Sequence, residues 1–297
     1  MKKTIIGVLM GGPDAEREIS INSGNAVADA LESNGTYVIQ RHLINEISTE
    51  ELIAMEVDIF FPVLHGPYGE GGPLQEALEL SETPFVGNPS SPAKLCLNKI
   101  RSKEKAIKLG IQTPAWNCIK STEDISISLP LVLKPINEGS SVNVAICKSQ
   151  DDINAFFNDK PNHQTFLAES YVQGQEITIS IVDKVVLPTI EIIPPSDRGT
   201  YDFEAKYMRN DTKYLTNPKL PKNNCVKDAL KIYESFQLRD VARIDFIVNE
   251  SGGWLLEINT MPGFTENSLL PMAAKETGMS MQALCVKLVE LALKRSC

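Results

Sequence analysis

The chain has 297 residues, 42% hydrophobic and 23% charged, with a formal net charge of −9. That length suits two or three compact domains rather than one core. The acidity argues against a nucleic-acid partner, since phosphate backbones are bound by basic surfaces, and no apolar run approaches the roughly 18–20 residues needed to cross a bilayer. If the substrate is an anion, positive charge must be concentrated locally. Cys96, Cys118, Cys147, Cys225, Cys285 and Cys297 are scattered, with no CxxC pair and no zinc-like spacing to His. They read as thiols of a reducing cytoplasm.

The start, MKKTIIGVLMGGPDAERE, resembles a signal peptide only superficially, because its short apolar stretch runs into Gly11-Gly12-Pro13 and charged residues. Thr4–Met10 is expected as a buried parallel strand. A helix is expected over Ser20–Leu31 with Ser20 as its cap. Val57–Leu64 reads as a second strand, followed by the glycine-rich loop His65–Gly72 and a helix over Pro73–Leu80. Such strand–loop–helix units give a doubly wound parallel sheet with ligands at the carboxyl ends of the strands.

Ser90-Ser91-Pro92 is expected to link into a second unit, beginning with a basic helix over Lys94–Leu109. Leu131–Pro135 and Val142–Cys147 form an antiparallel hairpin with a small-residue tip. Further strands are expected near Ile177–Val182, Val186–Ile192, Arg243–Val248 and Trp254–Asn259, with a long polar loop over 196–218 and a closing helix over Ser280–Lys294. There is no internal repeat and no low-complexity segment.

The sharpest chemical feature is the pair of strands around Asp245 and Glu257. Alternation puts Arg243 and Asp245 on one face of the first strand, and Glu257 and Asn259 on one face of the second, opposite Trp254, Leu256 and Ile258. Asn249–Gly253 between them is turn-rich. Two carboxylates and an amide oxygen are hard ligands suited to Mg²⁺. The same pattern also describes the polar outer face of a sheet.

Lys134 with Glu138-Gly139-Ser140-Ser141 is either a phosphate cradle of backbone N–H groups or a flexible turn. No GxxxxGK[ST] occurs, so it is not a P-loop. His65 is a structural histidine or a titratable site group. Glu16 is a favourable charge before a helix or a site carboxylate. Glu169 and Glu176 flank Tyr171-Val172-Gln173-Gly174-Gln175 as acceptors for an adenine amine and ribose hydroxyls, or as strand-edge charges. The 196–218 stretch has the length of a lid, and Lys206 in it can meet a γ-phosphate and exclude water.

In their order along the chain, GGPDAERE, HGPYGE, NKIRSK, LKPINEGSSV, ESYVQGQE, YDFEAKY, ARIDF and LLEINTMPGFTENSLLP resemble the successive motifs of D-alanine–D-alanine ligases, within the ATP-grasp superfamily. The resemblance implies three α/β units: residues 1–93 with the doubly wound sheet, then 94–180 and 181–297, two α+β domains clasping ATP. It implies a hydrogen-bonded trio of Glu16, Ser140 and Tyr207 beside the first D-alanine. Lys99, Lys134, Glu138, Gly139, Ser140, Ser141 and Lys206 would meet ATP phosphates, and Glu169, Tyr171, Val172 and Glu176 would line the nucleoside pocket. Asp245, Glu257 and Asn259 would hold two Mg²⁺ (or Mn²⁺) ions. Arg243 and the Gly263 N–H would stabilise an oxyanion, Ser268 and Leu269 would hold the second D-alanine's carboxylate, and His65 would sit near the first.

The implied protein is a cytoplasmic homodimer acting on D-alanine and ATP in peptidoglycan precursor synthesis, with D-lactate or D-serine as the rival acceptors. A catalytically inactive nucleotide-binding relative is a further alternative; a nicotinamide enzyme is disfavoured by the lack of GxGxxG. Lys206-Tyr207 favours an amine as second nucleophile. Departures from the family pattern are Gly71, where Asp commonly follows the Glu, Glu76, and Asn143 and Ala242, where glycines are usual.

Overall fold

The structure is a computed structural model that describes residues 3–139, 143–158, 164–195, 211–222 and 224–295. Strands Ile5–Gly11 (β1), Val38–Ile44 (β2) and Ile59–Pro62 (β3) form a parallel sheet in the order β2-β1-β3, extended by a bridge from Phe60 to Phe85. Helix Arg17–Glu32 (α1) covers one face through Val27, Ala28 and Leu31. Helices Thr49–Ala54 (α2) and Pro73–Leu80 (α4) cover the other, where Leu52, Leu74 and Leu78 meet Leu9, Phe60 and Leu64; the single turn Gly66–Gly69 (α3) lies between them in sequence. This is the doubly wound layer expected from the alternating elements.

Three local expectations differ from the structure. The first helix begins at Arg17, with Glu16 at the cap position, because Ser20 has another task. Its buried hydroxyl accepts from the Gly11 N–H at 2.9 Å and donates to the Val63 carbonyl at 2.7 Å, tying the ends of two strands together. Ser90–Pro92 is no linker: it opens helix Ser90–Leu97 (α5), and a second helix, Lys99–Lys108 (α6), follows. The single helix expected over this stretch breaks at Asn98, whose ψ of 100° leaves the helical region and whose side chain accepts from the Arg101 N–H at 3.0 Å. An N-cap thereby starts a new helix axis.

A four-stranded antiparallel sheet follows, in the order β4-β7-β5-β6, from Trp116–Ile119 (β4), Leu131–Pro135 (β5), Ala145–Cys147 (β6) and Phe166–Ser170 (β7). Helix Gln150–Asn158 (α7) packs Ile153 and Phe156 onto it. The expected hairpin is β5–β6, pairing Leu131 with Cys147.

The largest sheet comprises Gln175–Val182 (β8), Val185–Val186 (β9), Ile190–Ile193 (β10), Lys213–Thr216 (β11), Val241–Asn249 (β12) and Gly252–Asn259 (β13). Its path is β11-β10-β8-β12-β13, with β9 beside β8. One strand was expected over Val186–Ile192, but it divides around Pro188, which has no N–H for a ladder bond. Residues 213–216, expected within the polar loop, are strand β11, paired with β10. Residue 180, the expected domain boundary, lies inside β8.

One face of this sheet is apolar. Ile177, Ile179 and Ile181 of β8 and Ile244, Phe246 and Val248 of β12 pack against helix Cys225–Ser235 and against Cys96 and Ala106 of α5 and α6. The C-terminal helix Met281–Lys294 buries Leu284, Leu288 and Ala292 in a core shared by β1, α1 and Val182, Ile190 and Val241 of the large sheet. Among the described residues no helix is long and apolar enough to cross a membrane.

Candidate active site

The functional face of the large sheet follows from strand alternation. With the isoleucines of β8 facing the helices, Glu176 and Thr178 face the opposite way; with Ile244 and Phe246 in the core, Arg243 and Asp245 do too. The β12–β13 register sets Arg243 opposite Asn259 and Asp245 opposite Glu257, which brings the four expected residues together. Arg243 grips Asp245 with two nitrogens, at 3.1 and 2.9 Å. Thr178 donates to Asp245 Oδ1 at 2.6 Å, and Asn259 Nδ2 donates to Oδ2 at 3.1 Å.

The face assignment of β13 needs one correction. The register shifts between Asp245 and Phe246, where Phe246 pairs with Leu255, so Leu256 is an extra residue. Such a bulge reverses the side-chain phase. Leu255 enters the core, and Leu256, expected opposite Glu257, lines the cleft beside it.

That cleft, of about 370 Å³, lies between the two antiparallel sheets. Lys99, Lys134, Glu138, Glu169, Tyr171, Val172 and Glu176 line it with Arg243, Asp245 and Glu257, and Val132, Ile146 and Leu256 give it apolar walls. Lys99 Nζ donates to the Glu138 carbonyl at 2.5 Å and lies 3.6 Å from Glu257 Oε2. Burial pulls the Lys99 ammonium below its usual range, against the opposing field of Glu257. Glu169 is buried between two cations, paired with Lys134 through Oε1 and 2.8 Å from Lys103 through Oε2. Burial alone would raise its carboxyl, but Lys103 and Lys134 outweigh it and hold it below the usual range.

A second cavity, of about 390 Å³, adjoins the first and shares Arg243, Glu257 and Leu269 with it. Glu16, His65, Glu70, Asn259, Gly263 and Ser268 line it, so it is walled by the first sheet's loops on one side and the large sheet on the other. Gly263 is required by close approach: a Cβ there would lie 2.8 Å from Ser268 Oγ. Ser268 Oγ in turn accepts from the Thr265 N–H at 3.0 Å. A Cβ on Gly139 would lie 3.3 Å from Glu16 Oε1, which places the β5–β6 hairpin against Glu16.

Two buried groups here have displaced protonation. Burial, reinforced by the charge of Arg243, lowers His65 to about 4, so the imidazole is neutral at physiological pH. Burial, reinforced by Glu16, raises Glu70 to about 8. A neutral Glu70 carboxyl beside Glu16 avoids two adjacent buried anions.

Ser140, Ser141, Lys206 and Tyr207 lie outside the described residues. Glu70, Lys103, Thr178 and Leu256 belong to the site as well, although no motif singles them out. The signals were present for two: Lys103 is four residues from Lys99 on one helix face, and Thr178 shares the alternating face of Glu176. Leu256 was hidden by the bulge, and nothing local distinguishes Glu70 from a surface acid.

Among the departures, Asn143 has φ 57°, the left-handed region that glycine favours and that Asn enters more readily than most residues. Its amide donates to Glu138 Oε2 at 2.9 Å, so it replaces glycine's freedom with a fixed contact. At Gly71 a Cβ would lie 2.1 Å from the Pro67 carbonyl, so this loop conformation excludes the aspartate usual there.

The ions implied by the resemblance find suitable donors. Asp245, Glu257 and Asn259 supply oxygen ligands of the type Mg²⁺ prefers, between the nucleotide-sized cleft and the second cavity.

Many known proteins are similar to this chain in sequence and in fold. The family model described as D-ala D-ala ligase C-terminus matches residues 110–290, and that described as D-ala D-ala ligase N-terminus matches residues 40–88. The D-alanine–D-alanine ligase of Aquifex aeolicus is 39% identical over 93% of this chain and 97% of its own length. The crystal structure of the D-alanine–D-alanine ligase from Bacillus anthracis complexed with ATP superposes with a TM-score of 0.81, at 30% identity, over 99% of this chain and 98% of that one. The VanG D-Ala:D-Ser ligase from Enterococcus faecalis, with a TM-score of 0.84, 98% of this chain and all of that one covered, is 24% identical and shares the fold alone. A family match across more than half of the residues, with that identity along nearly all of them, makes this chain a member of the D-alanine–D-alanine ligase family.

Proposed function

We propose that the chain joins two D-alanines at the expense of ATP, forming D-alanyl-D-alanine, ADP and phosphate. The observation that carries this is the pair of adjoining cavities: one sized and walled for a nucleotide, the other lined by Glu16, His65, Asn259 and Ser268, meeting at Arg243 and Glu257. A carboxylate bound in the second cavity would have its oxygen facing a γ-phosphate bound in the first. Two anions must approach there, and the chain places Lys99, Lys134 and Arg243 around the meeting point.

The first D-alanine's carboxylate attacks the γ-phosphoryl group, releasing ADP and leaving an acyl phosphate. The second D-alanine's amine then attacks the acyl carbon, and phosphate departs. Arg243 and the Gly263 N–H border the cavity where the oxyanion develops, and Ser268, on the same wall, suits the second carboxylate. Glu16, a buried carboxylate, suits the first substrate's ammonium, and a neutral His65 beside Arg243 adds no repulsion to it. Asp245, Glu257 and Asn259 would hold Mg²⁺, which when bound neutralises phosphate oxygens. Lys206, Tyr207 and Ser140 are proposed to complete the site by their motifs alone. The resemblance likewise supports a cytoplasmic homodimer.

An acceptor other than D-alanine is the competing reading. Incubation with ATP, Mg²⁺ and equal D-alanine, D-serine and D-lactate, with products identified by mass spectrometry, is expected to give D-alanyl-D-alanine as the main product with one ADP per dipeptide. Depsipeptide or D-alanyl-D-serine as the main product would reject the acceptor, and ADP release independent of D-alanine would reject the ligase.

A further inference from the structure

The cluster of Lys103, Glu169 and Lys134 holds two cations on one buried carboxylate, and the two cations differ in access. Lys134 lies near the end of β5 and lines the nucleotide-sized cleft with Glu169. Lys103 does not line it: its side chain is fully buried behind Glu169, donating to Thr113 Oγ1 at 2.5 Å and lying within 3.4 Å of the Leu255 carbonyl. Lys103 is therefore fixed from three sides and cannot meet a ligand, whereas Lys134 has the cleft open before it.

A lysine that neutralises a buried carboxylate is normally held there, since leaving would strand an uncompensated buried charge. Here the second oxygen of Glu169 lies 2.8 Å from Lys103, a counterion that does not depend on where Lys134 is. We propose that Lys103 is a positioning residue for nucleotide binding: by keeping Glu169 charge-balanced, it lets Lys134 exchange that carboxylate for a nucleotide phosphate. The proposal rests on the nucleotide reading above. The exchange also exposes Glu169 Oε1 to the cleft as a hydrogen-bond acceptor, so one movement provides a cation for the phosphates and an acceptor for the base.

The role predicts a specific coupling. Without Lys103, Lys134 becomes the sole counterion of Glu169, and phosphate binding must compete with that ion pair. Neutralising Glu169 as well should remove the competition. Calorimetric titration of ADP and adenosine into wild type, Lys103→Met, Glu169→Gln and the double variant tests this, with thermal melts to confirm folding. Lys103→Met is expected to weaken ADP about tenfold or more and adenosine less than about threefold. The double variant is expected to bind ADP as tightly as Glu169→Gln alone, and Lys103→Arg, which keeps the charge, to stay within about threefold of wild type.

Equal losses for ADP and adenosine, no loss at all, or additive losses in the double variant would overturn the role. Should Lys103→Met not fold, the comparison of Glu169→Gln with the double variant decides: equal ADP affinity supports the proposal, and a further tenfold loss overturns it. Wild type that binds no ADP would instead sink the nucleotide reading on which the proposal stands.

Discussion

Glu70 shows how a single residue reports on its surroundings. Its carboxyl is buried near Glu16 and Glu257, with Arg243 as the opposing charge, and is raised to about 8 from 4.5. Between these two values the folded state binds more protons than the unfolded state, so stability falls as pH rises, by up to about 1.4 kcal/mol per pH unit. Below 4.5 both states are protonated and the contribution is fully present. Glu70→Gln removes this slope, so urea unfolding without ligands should show the variant gaining on wild type from pH 5 to pH 8. Parallel stability curves for the two proteins would exclude a raised Glu70. His65, buried and lowered to about 4, acts in the opposite sense below pH 6.5, which separates the two groups experimentally.

Asn143 and Gly71 belong to the same scale. Both depart from the usual family residues, and both are explained by backbone geometry, a positive φ in one case and a 2.1 Å approach to the Pro67 carbonyl in the other. A pattern of residue types cannot express such constraints, because they depend on where the neighbouring chain passes.

At the scale of elements, the sequence was a good guide wherever burial on one side produced a regular period. The helix over Pro73–Leu80 and the hairpin of β12 and β13 lie where periodicity put them. It failed where one residue interrupts a period. Asn98 splits one apparent helix into two, and Leu256 reverses the phase of β13. Since Lys99 is the first residue of α6, the cap at Asn98 also fixes where that lysine enters the cleft. Asn98→Ala should destabilise the protein by about 1 kcal/mol, seen as a lower urea midpoint with unchanged slope. A change below about 0.3 kcal/mol would show that the cap is not what holds the break.

At the scale of the whole molecule, the second cavity depends on the first sheet's loops staying registered against the large sheet. Asp240 is central to that alignment. It is buried, accepts from the Gly87 N–H at 2.7 Å, and pairs with Arg295 beyond the last helix, which also donates to the Phe85 carbonyl at 2.9 Å. Asn88 adds donors to the Val241 and Thr260 carbonyls at 2.9 and 2.8 Å. These contacts grip β12 two residues before Arg243 and the chain one residue after Asn259. Asp240→Ala is expected to cost about 2–3 kcal/mol, less than a fully buried pair because Arg295 is partly exposed. It should also raise KM for D-alanine more than KM for ATP, since of the two cavities it is the second, proposed above for the amino acids, that both sheets' loops wall. Equal rises would place the effect elsewhere.

The sequence by itself determined the alternating layer of the first sheet, the hairpin carrying Arg243, Asp245, Glu257 and Asn259, and the family, because these rest on local periodicity and on ordered motifs. Only the tertiary structure decided that the last helix packs on the first sheet, that Lys103 stands behind Glu169, and that Glu70 joins Glu16, His65 and Arg243 in one cavity. Each of these joins residues far apart in the chain, and their meeting is fixed by which apolar faces bury one another, a property of the packed molecule that no local pattern encodes.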